Sequence, residues 1–300
     1  MTSLITPAEA AEPGTPASNL NHEAMGSEAI RPPAGDGLLL GGRYRLGPWL
    51  GGGSEAHVHE ALDERTGRLV AAKVFRETDR LKGEAFRREL EIHKRLRNKN
   101  IVRVRDSGKL LDGEQVRDYV VMDLVGGQDL RSVLREAPAG PALTVAWMTD
   151  IAKALAHLHR RGIVHNDVKP GNILVARASD SAGHAMLTDF GVAISPAHAA
   201  RSSSSGTPHY MSPEAVRGEA PTAASDIYAL GLVALECLTG TKAFPGPPLE
   251  SMVARTLSEP RVPGTVRRRW SMVLHAMTDP DPAGRPSAKQ VAGMFRRLRW

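Results

Sequence analysis

The hydrophobic pattern of this chain changes period near residue 125, and that change narrows what it can fold into. Before it, apolar residues come in short runs bounded by Gly, Pro and Asp. Residues 44–50 and 57–61 flank Gly51-Gly52-Gly53, Arg68–Phe75 makes a third run, and 101–105 and 118–125 add two more. Runs of this kind read as strands. Between the third and fourth, residues 82–97 set Phe86, Leu90, Ile92 and Leu96 among charges, which is one helix with an apolar stripe. After Gly127 the spacing is helical: Ile151, Ala154, Leu155 and Leu158 share a face. Residues 225–239 are apolar enough for burial on most sides, and 249–258, 265–277 and 287–298 are amphipathic. The pattern predicts an α+β chain, sheet with one major helix first and mainly helix after, without internal repeats.

Order is expected from Tyr44. Residues 1–41 are rich in Ala, Pro, Gly, Ser and Glu with few large apolar side chains. Such a segment cannot bury enough surface to offset its ordering entropy, so it is expected to be a disordered tail. The remainder, 44–300, is long enough for one two-lobed domain, divided near 124/125. Hydrophobic residues make up 41% and aromatics only 4%, so aliphatic side chains must build the core.

The single cysteine, Cys237, excludes a disulfide framework and a Cys-rich metal site, and its apolar surroundings mark it as a buried small hydrophobe. His57 and His59, and His157, His159 and His165, lack the order or Cys partners of a zinc site. The formal net charge of +6 gathers in Arg267–Arg269 and in Arg296, Arg297 and Arg299, without a nucleic-acid motif. That reads as a solvated basic face, and no nucleic-acid partner is expected. There is no stretch long and apolar enough to serve as a membrane anchor, and no basic n-region before an apolar core at the N-terminus. The expected site of action is cytoplasmic, with export through a nonstandard signal in 1–41 as the other reading. The sequence leaves the oligomeric state open.

Chemistry concentrates in residues 164–175, VHNDVKPGNILV, followed at short range by Asp189-Phe190-Gly191. Asp167 would accept a hydroxyl proton and orient the nucleophile. Lys169 would neutralise a transferring phosphoryl group. Asn172 and Asp189 offer oxygens to Mg2+, a hard cation, for which Mn2+ can substitute. Singly, Asp is a turn residue and Asn a cap; their joint spacing argues against coincidence. Gly51, Gly52 and Gly53 lie between two strands, where missing side chains let backbone amides approach a phosphate, although such a turn is more often a plain hairpin. Lys73, on the apolar strand that follows, needs partners, which Glu89 and nucleotide phosphates can supply. Residues 206–214, GTPHYMSPE, suit a platform for a peptide, and Glu214 has a charge partner available in Arg285.

These motifs, in this order, resemble the eukaryotic-like (Hanks-type) protein serine/threonine kinases, in a bacterial style, over about residues 44–298. The resemblance implies the bilobal protein-kinase fold: a β-rich N-lobe with one major helix carrying Glu89, and a mainly α-helical C-lobe. It implies ATP and Mg2+ as cofactors and Ser/Thr-bearing proteins as substrates. By position, Gly51 and Gly53 would cover the ATP phosphates, Lys73 would contact them, and Glu89 would hold Lys73. Leu50, Val58, Ala71 and Leu174 would enclose adenine. Asp123 and Val125 would offer hinge backbone groups beside Met122 as gatekeeper. Asp167 matches the base, Asn172 and Asp189 the metal ligands, and Lys169 and Thr207 the groups that steady the γ-phosphate and the base. Asp226 would brace the catalytic loop. The residues after Asp167 point to Ser/Thr rather than Tyr acceptors.

Three positions depart from the family pattern. Ala56 replaces a glycine of the phosphate loop. His93 stands where an apolar residue usually links the major helix to Phe190, and is expected to pack. Asn166 stands where most relatives have Arg. That Arg gathers a phosphate on the activation segment; Asn is neutral and shorter and cannot. Activity independent of activation-segment phosphorylation is therefore expected. A pseudokinase scaffold is the alternative, and the presence of Lys73, Glu89, Asp167, Asn172 and Asp189 weighs against it. A small-molecule phosphotransferase would have no use for GTPHYMSPE.

Overall fold

The computed structural model describes residues 37–53, 56–76, 90–112, 115–176, 183–189 and 208–298. Several expectations lie outside them: the tail through residue 36, the first half of the 82–97 helix with Glu89, Phe190 and Gly191, Ser202–Ser205, Thr207 and Arg299.

The first part is a six-stranded antiparallel sheet, ordered β1-β2-β3-β4-β6-β5. Its strands are β1 (Leu39–Leu40), β2 (Tyr44–Gly52), β3 (Ala56–Asp63), β4 (Arg68–Phe75), β5 (Val104–Asp112) and β6 (Gln115–Asp123). The helix read over 82–97 is seen through residues 90–95. Because side chains alternate across a strand, each face carries its own core. One face joins Ala56, Ala71, Phe75, Val120 and Met122 with Leu90 of the helix. The other joins Leu40, Tyr44, Ala61, Val70, Ala72 and Val121.

Two sequence expectations need correction here. The sheet begins at Leu39, inside the segment read as tail, because Leu40 is wholly buried and pairs with Tyr44. The strand read at 101–105 lies instead at Val104–Asp112. Ile101 and Val102 are both buried but serve different cores: Ile101 joins the helical lobe and makes a lone bridge to Leu187, while Val102 joins the sheet. The polar run Asp106-Ser107-Gly108-Lys109 carries little strand signal of its own and becomes a strand by pairing with β6.

The second part is mainly helical: α1 (Leu130–Glu136), α2 (Gly140–His159), α3 (Pro213–Val216), α4 (Ala223–Thr239), α5 (Pro248–Leu257), α6 (Arg268–Met277) and α7 (Ala288–Arg297). Helices α2 and α4 form its centre, with Met148, Ile151, Leu155, Leu158, Leu230 and Val233 fully buried. Helix α4 starts with a capping box between Thr222 and Ser225 and stops at Gly240, whose φ of 73° suits glycine.

A three-stranded sheet, β7 (Gly127–Asp129), β8 (Ile173–Ala176) and β9 (His184–Leu187), also lies in this half, where only helices were read. These strands are too short to show a period. Gly127 is required there, because a Cβ would overlap the Val175 carbonyl. The sheet positions the site, since the loop leading into β8 carries Asp167 and the chain leaving β9 carries Asp189. Among the described residues, no helix is long and apolar enough to cross a membrane.

Candidate active site

The loop before β8 is held from beneath by one buried carboxylate. Asp226, in the first turn of α4 and 1% exposed, accepts hydrogen bonds from the backbone N–H of His165 at 2.9 Å and of Asn166 at 2.8 Å. The ring of His159 at the end of α2 also bonds to it, at 2.8 Å. Asn166 takes a left-handed φ of 63°, a region that Asn enters more readily than most residues. His165 is fully buried, its Nε2 lies 3.1 Å from the Thr188 carbonyl, and its Nδ1 accepts the Asp167 N–H at 3.3 Å. Donation through Nε2 and acceptance at Nδ1 define a neutral tautomer. That ring joins the Asp167 loop to the segment bearing Asp189.

Asp167 is then aimed by its own loop. The Asn172 amide donates to its Oδ2 at 2.7 Å and to its carbonyl at 2.8 Å, and Lys169 Nζ lies 2.7 Å from the same Oδ2. The Asn172 carbonyl in turn receives the Thr188 N–H at 3.0 Å. Asp189, with φ 55°, meets Lys73 Nζ at 2.8 Å across the cleft. Sequence positions 116 apart thus meet in one ion pair. Lys73 has only 15% of its side chain exposed, and its other predicted partner, Glu89, lies outside the described residues.

The glycines at the end of β2 divide by cause. A Cβ at Gly52 would sit 2.7 Å from the Ala56 carbonyl, so the hairpin itself needs that glycine. At Gly51 and Gly53 a Cβ would meet nothing within 4 Å. The fold leaves that space open, as a covering loop for phosphates would require. Val58, Ala71, Met122, Val125 and Leu174 belong to one apolar cluster beneath it. Leu50, on β2, is 48% exposed at the rim. The Asp123 N–H is donated to the Arg103 carbonyl at 3.0 Å, and its side chain pairs with Arg105. Met122 also receives a hydrogen bond from Thr188 Oγ1 to its sulfur at 3.8 Å. Behind Met122, a cavity is lined by Lys73, Phe75, Leu90, His93, Thr188 and Asp189. His93 is 3% exposed, and burial pushes its pKa down to about 4. It packs as a neutral ring, as the sequence reading expected.

Among the described residues no group of three or more His, Cys, Asp or Glu gathers around a point. Asp189 and Asn172 supply hard oxygen donors, so a cation held there would share them with phosphate oxygens, which is the habit of Mg2+.

Below the cleft, Glu214 and Arg285 form the expected pair, at 2.7 and 2.9 Å and almost fully buried. Burial opposes the charge on Glu214, yet Arg285 and the Ser225 hydroxyl hold its pKa down to about 2. Sequence reasoning missed three residues in this region: His159, considered only as a metal ligand, Glu236, which accepts the Tyr210 hydroxyl at 2.5 Å, and Arg255 on α5. Their partners come from distant elements, and local spacing carries no sign of them.

The protein kinase domain model matches residues 44–294. The chain is 37% identical over 239 residues to the probable serine/threonine-protein kinase PknB of Bifidobacterium longum, covering 75% of this chain and 34% of that protein. It is 36% identical over 278 residues to the serine/threonine-protein kinase PkaA of Streptomyces coelicolor, covering 86% and 50%. To the serine/threonine-protein kinase PrkC of Bacillus subtilis it is 36% identical over 242 residues, covering 78% and 36%. The match thus spans between a third and a half of each relative's length. The glycine turn, Lys73, Asp167 and Asp189 thus stand in a chain that belongs to the protein kinase domain family and is similar to serine/threonine-protein kinases of bacteria.

Proposed function

We propose that this chain transfers the γ-phosphate of ATP to serine and threonine hydroxyls of proteins, its own included, with Mg2+ as the metal. The observation that carries the reading is the convergence on Asp167. Asn172 and Lys169 both bond its Oδ2, and Asp189 stands across the cleft on Lys73. In this reading Asp167 takes the proton of the acceptor hydroxyl, its orientation fixed by the Asn172 amide. Lys169 offsets charge on the transferred group, and Lys73 leaves Asp189 to hold the nucleotide phosphates. By the resemblance, Thr207 would steady Asp167 and Glu89 would hold Lys73. Mg2+, when bound, would neutralise phosphate charge between Asp189 and Asn172. Leu50, Val58, Ala71, Met122 and Leu174 would enclose the adenine, with backbone groups of Asp123 and Val125 at its edge.

A disordered N-terminal tail, read over 1–41 and cut short by the strand at Leu39–Leu40, the kinase domain that follows and a cytoplasmic site of action belong to the same proposal. So does independence from phosphorylation of the activation segment, supported by Asn166, which carries no charge to gather a phosphate.

One assay tests the reading. The protein, given labelled ATP, Mg2+ and a generic basic protein, is expected to yield phosphoserine and phosphothreonine. A variant with Ser202–Ser205 all changed to Ala is expected to retain transfer within about threefold of wild type. Transfer by the wild type alone, with the variant folded, would remove phosphorylation independence. No transfer by either with any acceptor or metal would favour the scaffold reading.

A further inference from the structure

Arg255 is an unusual residue to find where it is. It lies on α5, 3% exposed, and among the described residues no carboxylate pairs with it. Its guanidinium instead spends every nitrogen on neutral oxygens. Nε donates to the Ser251 carbonyl at 3.0 Å, Nη2 to the Ser251 hydroxyl at 2.7 Å, and Nη1 to the Met211 carbonyl at 2.5 Å. Ser251 is itself fixed by donation to the Phe244 carbonyl at 2.9 Å, and the guanidinium lies 5.2 Å from the centre of the Phe244 ring. Burial lowers the Arg255 pKa to about 10, so the group is still a cation at neutral pH.

A buried cation without an anion is a poor device for stability, because its desolvation is only partly repaid by neutral acceptors. A Met or Leu would fill the space at lower cost. What those side chains cannot do is hold the Met211 carbonyl. Met211 connects the turn Pro208–Tyr210 to Ser212 and α3, within the segment that the kinase reading makes the platform for the acceptor peptide. The neighbouring side chains are anchored too, Tyr210 on Glu236 and His209 on the Gly246 carbonyl at 3.0 Å. These bonds hold side chains; the Arg255 bond reaches the platform's backbone.

We propose that Arg255 is a positioning residue for the protein substrate: its bond to the Met211 carbonyl sets the run 208–212 in the form that receives the acceptor. The proposal rests on the kinase reading above for its activity consequence, and not for the tether itself.

Arg255→Met is expected to raise KM for a peptide acceptor about tenfold, the loss of one charged hydrogen bond. KM for ATP should stay within about twofold. Arg255→Lys, which keeps the cation but not the planar fork that reaches three separate oxygens, should fall between. Hydrogen–deuterium exchange across 209–217 should accelerate in Arg255→Met while the loop 164–175 keeps its wild-type rates. Unchanged exchange across 209–217 overturns the tether, whatever the activity. Equal losses in both KM values and both segments, with lowered thermal stability, make Arg255 a plain packing residue and also overturn it. If the wild type transfers no phosphate at all, the kinase reading fails, and the exchange arm still decides the tether.

Discussion

Asn166 holds a left-handed φ of 63° because Asp226 takes its N–H and that of His165 on separate oxygens. That conformation strains most L side chains by about 1–2 kcal/mol, and Asn is among the residues that tolerate it. The residue thus does two things that one sequence position rarely reveals together. It relieves backbone strain at the base of the 164–175 loop, and it is a neutral side chain where the family pattern has a cation. Asn166→Arg is expected to lower stability by about 1 kcal/mol. In a domain of this size that is about 2–4 °C in thermal unfolding. An unchanged or raised midpoint would mean that Asp226 does not impose the strain. The chemical difference between Asn and Arg was legible in the sequence. The left-handed backbone was not, because it depends on Asp226, supplied by a helix far along the chain.

At the scale of elements, two buried ionisable groups tie the lobes' parts together and respond to acid in separate windows. His93 sits on the helix that packs against the sheet, with a folded pKa of about 4 against an ordinary 6.5. Above pH 6.5 it is neutral folded and unfolded and contributes no pH dependence. As pH falls below 6.5 the unfolded chain takes the proton first, so stability is lost until about pH 4. His93→Leu should remove this loss. Between pH 7 and 5, urea unfolding of the wild type should lose about 2 kcal/mol more than the variant. Parallel curves would show that His93 is not buried as described. Glu214 acts lower: its bond to Arg285 contributes fully above pH 4.5 and is lost as pH falls toward 2. Elements with a long period, such as α2 and α4, were legible because their buried stripes recur along the sequence. Strands β7, β8 and β9 were not, since three or four residues show no period and their pairing joins segments far apart. Strand β5 was shifted for a related reason: Ile101 alternates like strand but is drawn into the other lobe's core.

Across the whole molecule, the sheet and the helical lobe each deliver part of one site. The sheet brings Lys73 and the open positions at Gly51 and Gly53; the helical lobe brings Asp167, Lys169, Asn172 and Asp189. The residues themselves were legible because their types suit phosphoryl transfer and their order resembles the family's motifs. Among their supports, Asp226 was expected from the resemblance, while His159 beside it, and Arg255 beneath Met211, were hidden in contacts between elements. The proposed function turns on Asp167, the carboxylate on which Asn172 and Lys169 converge. Asp167→Asn is nearly isosteric and keeps a polar group beside Asn172 and Lys169, while losing a base. The most direct measurement compares phosphate transfer to a protein acceptor with nucleotide affinity in wild type and Asp167→Asn. Transfer is expected to fall at least about a hundredfold, with ATP affinity within about threefold. Transfer near the wild-type rate in the variant would rule out Asp167 as the base.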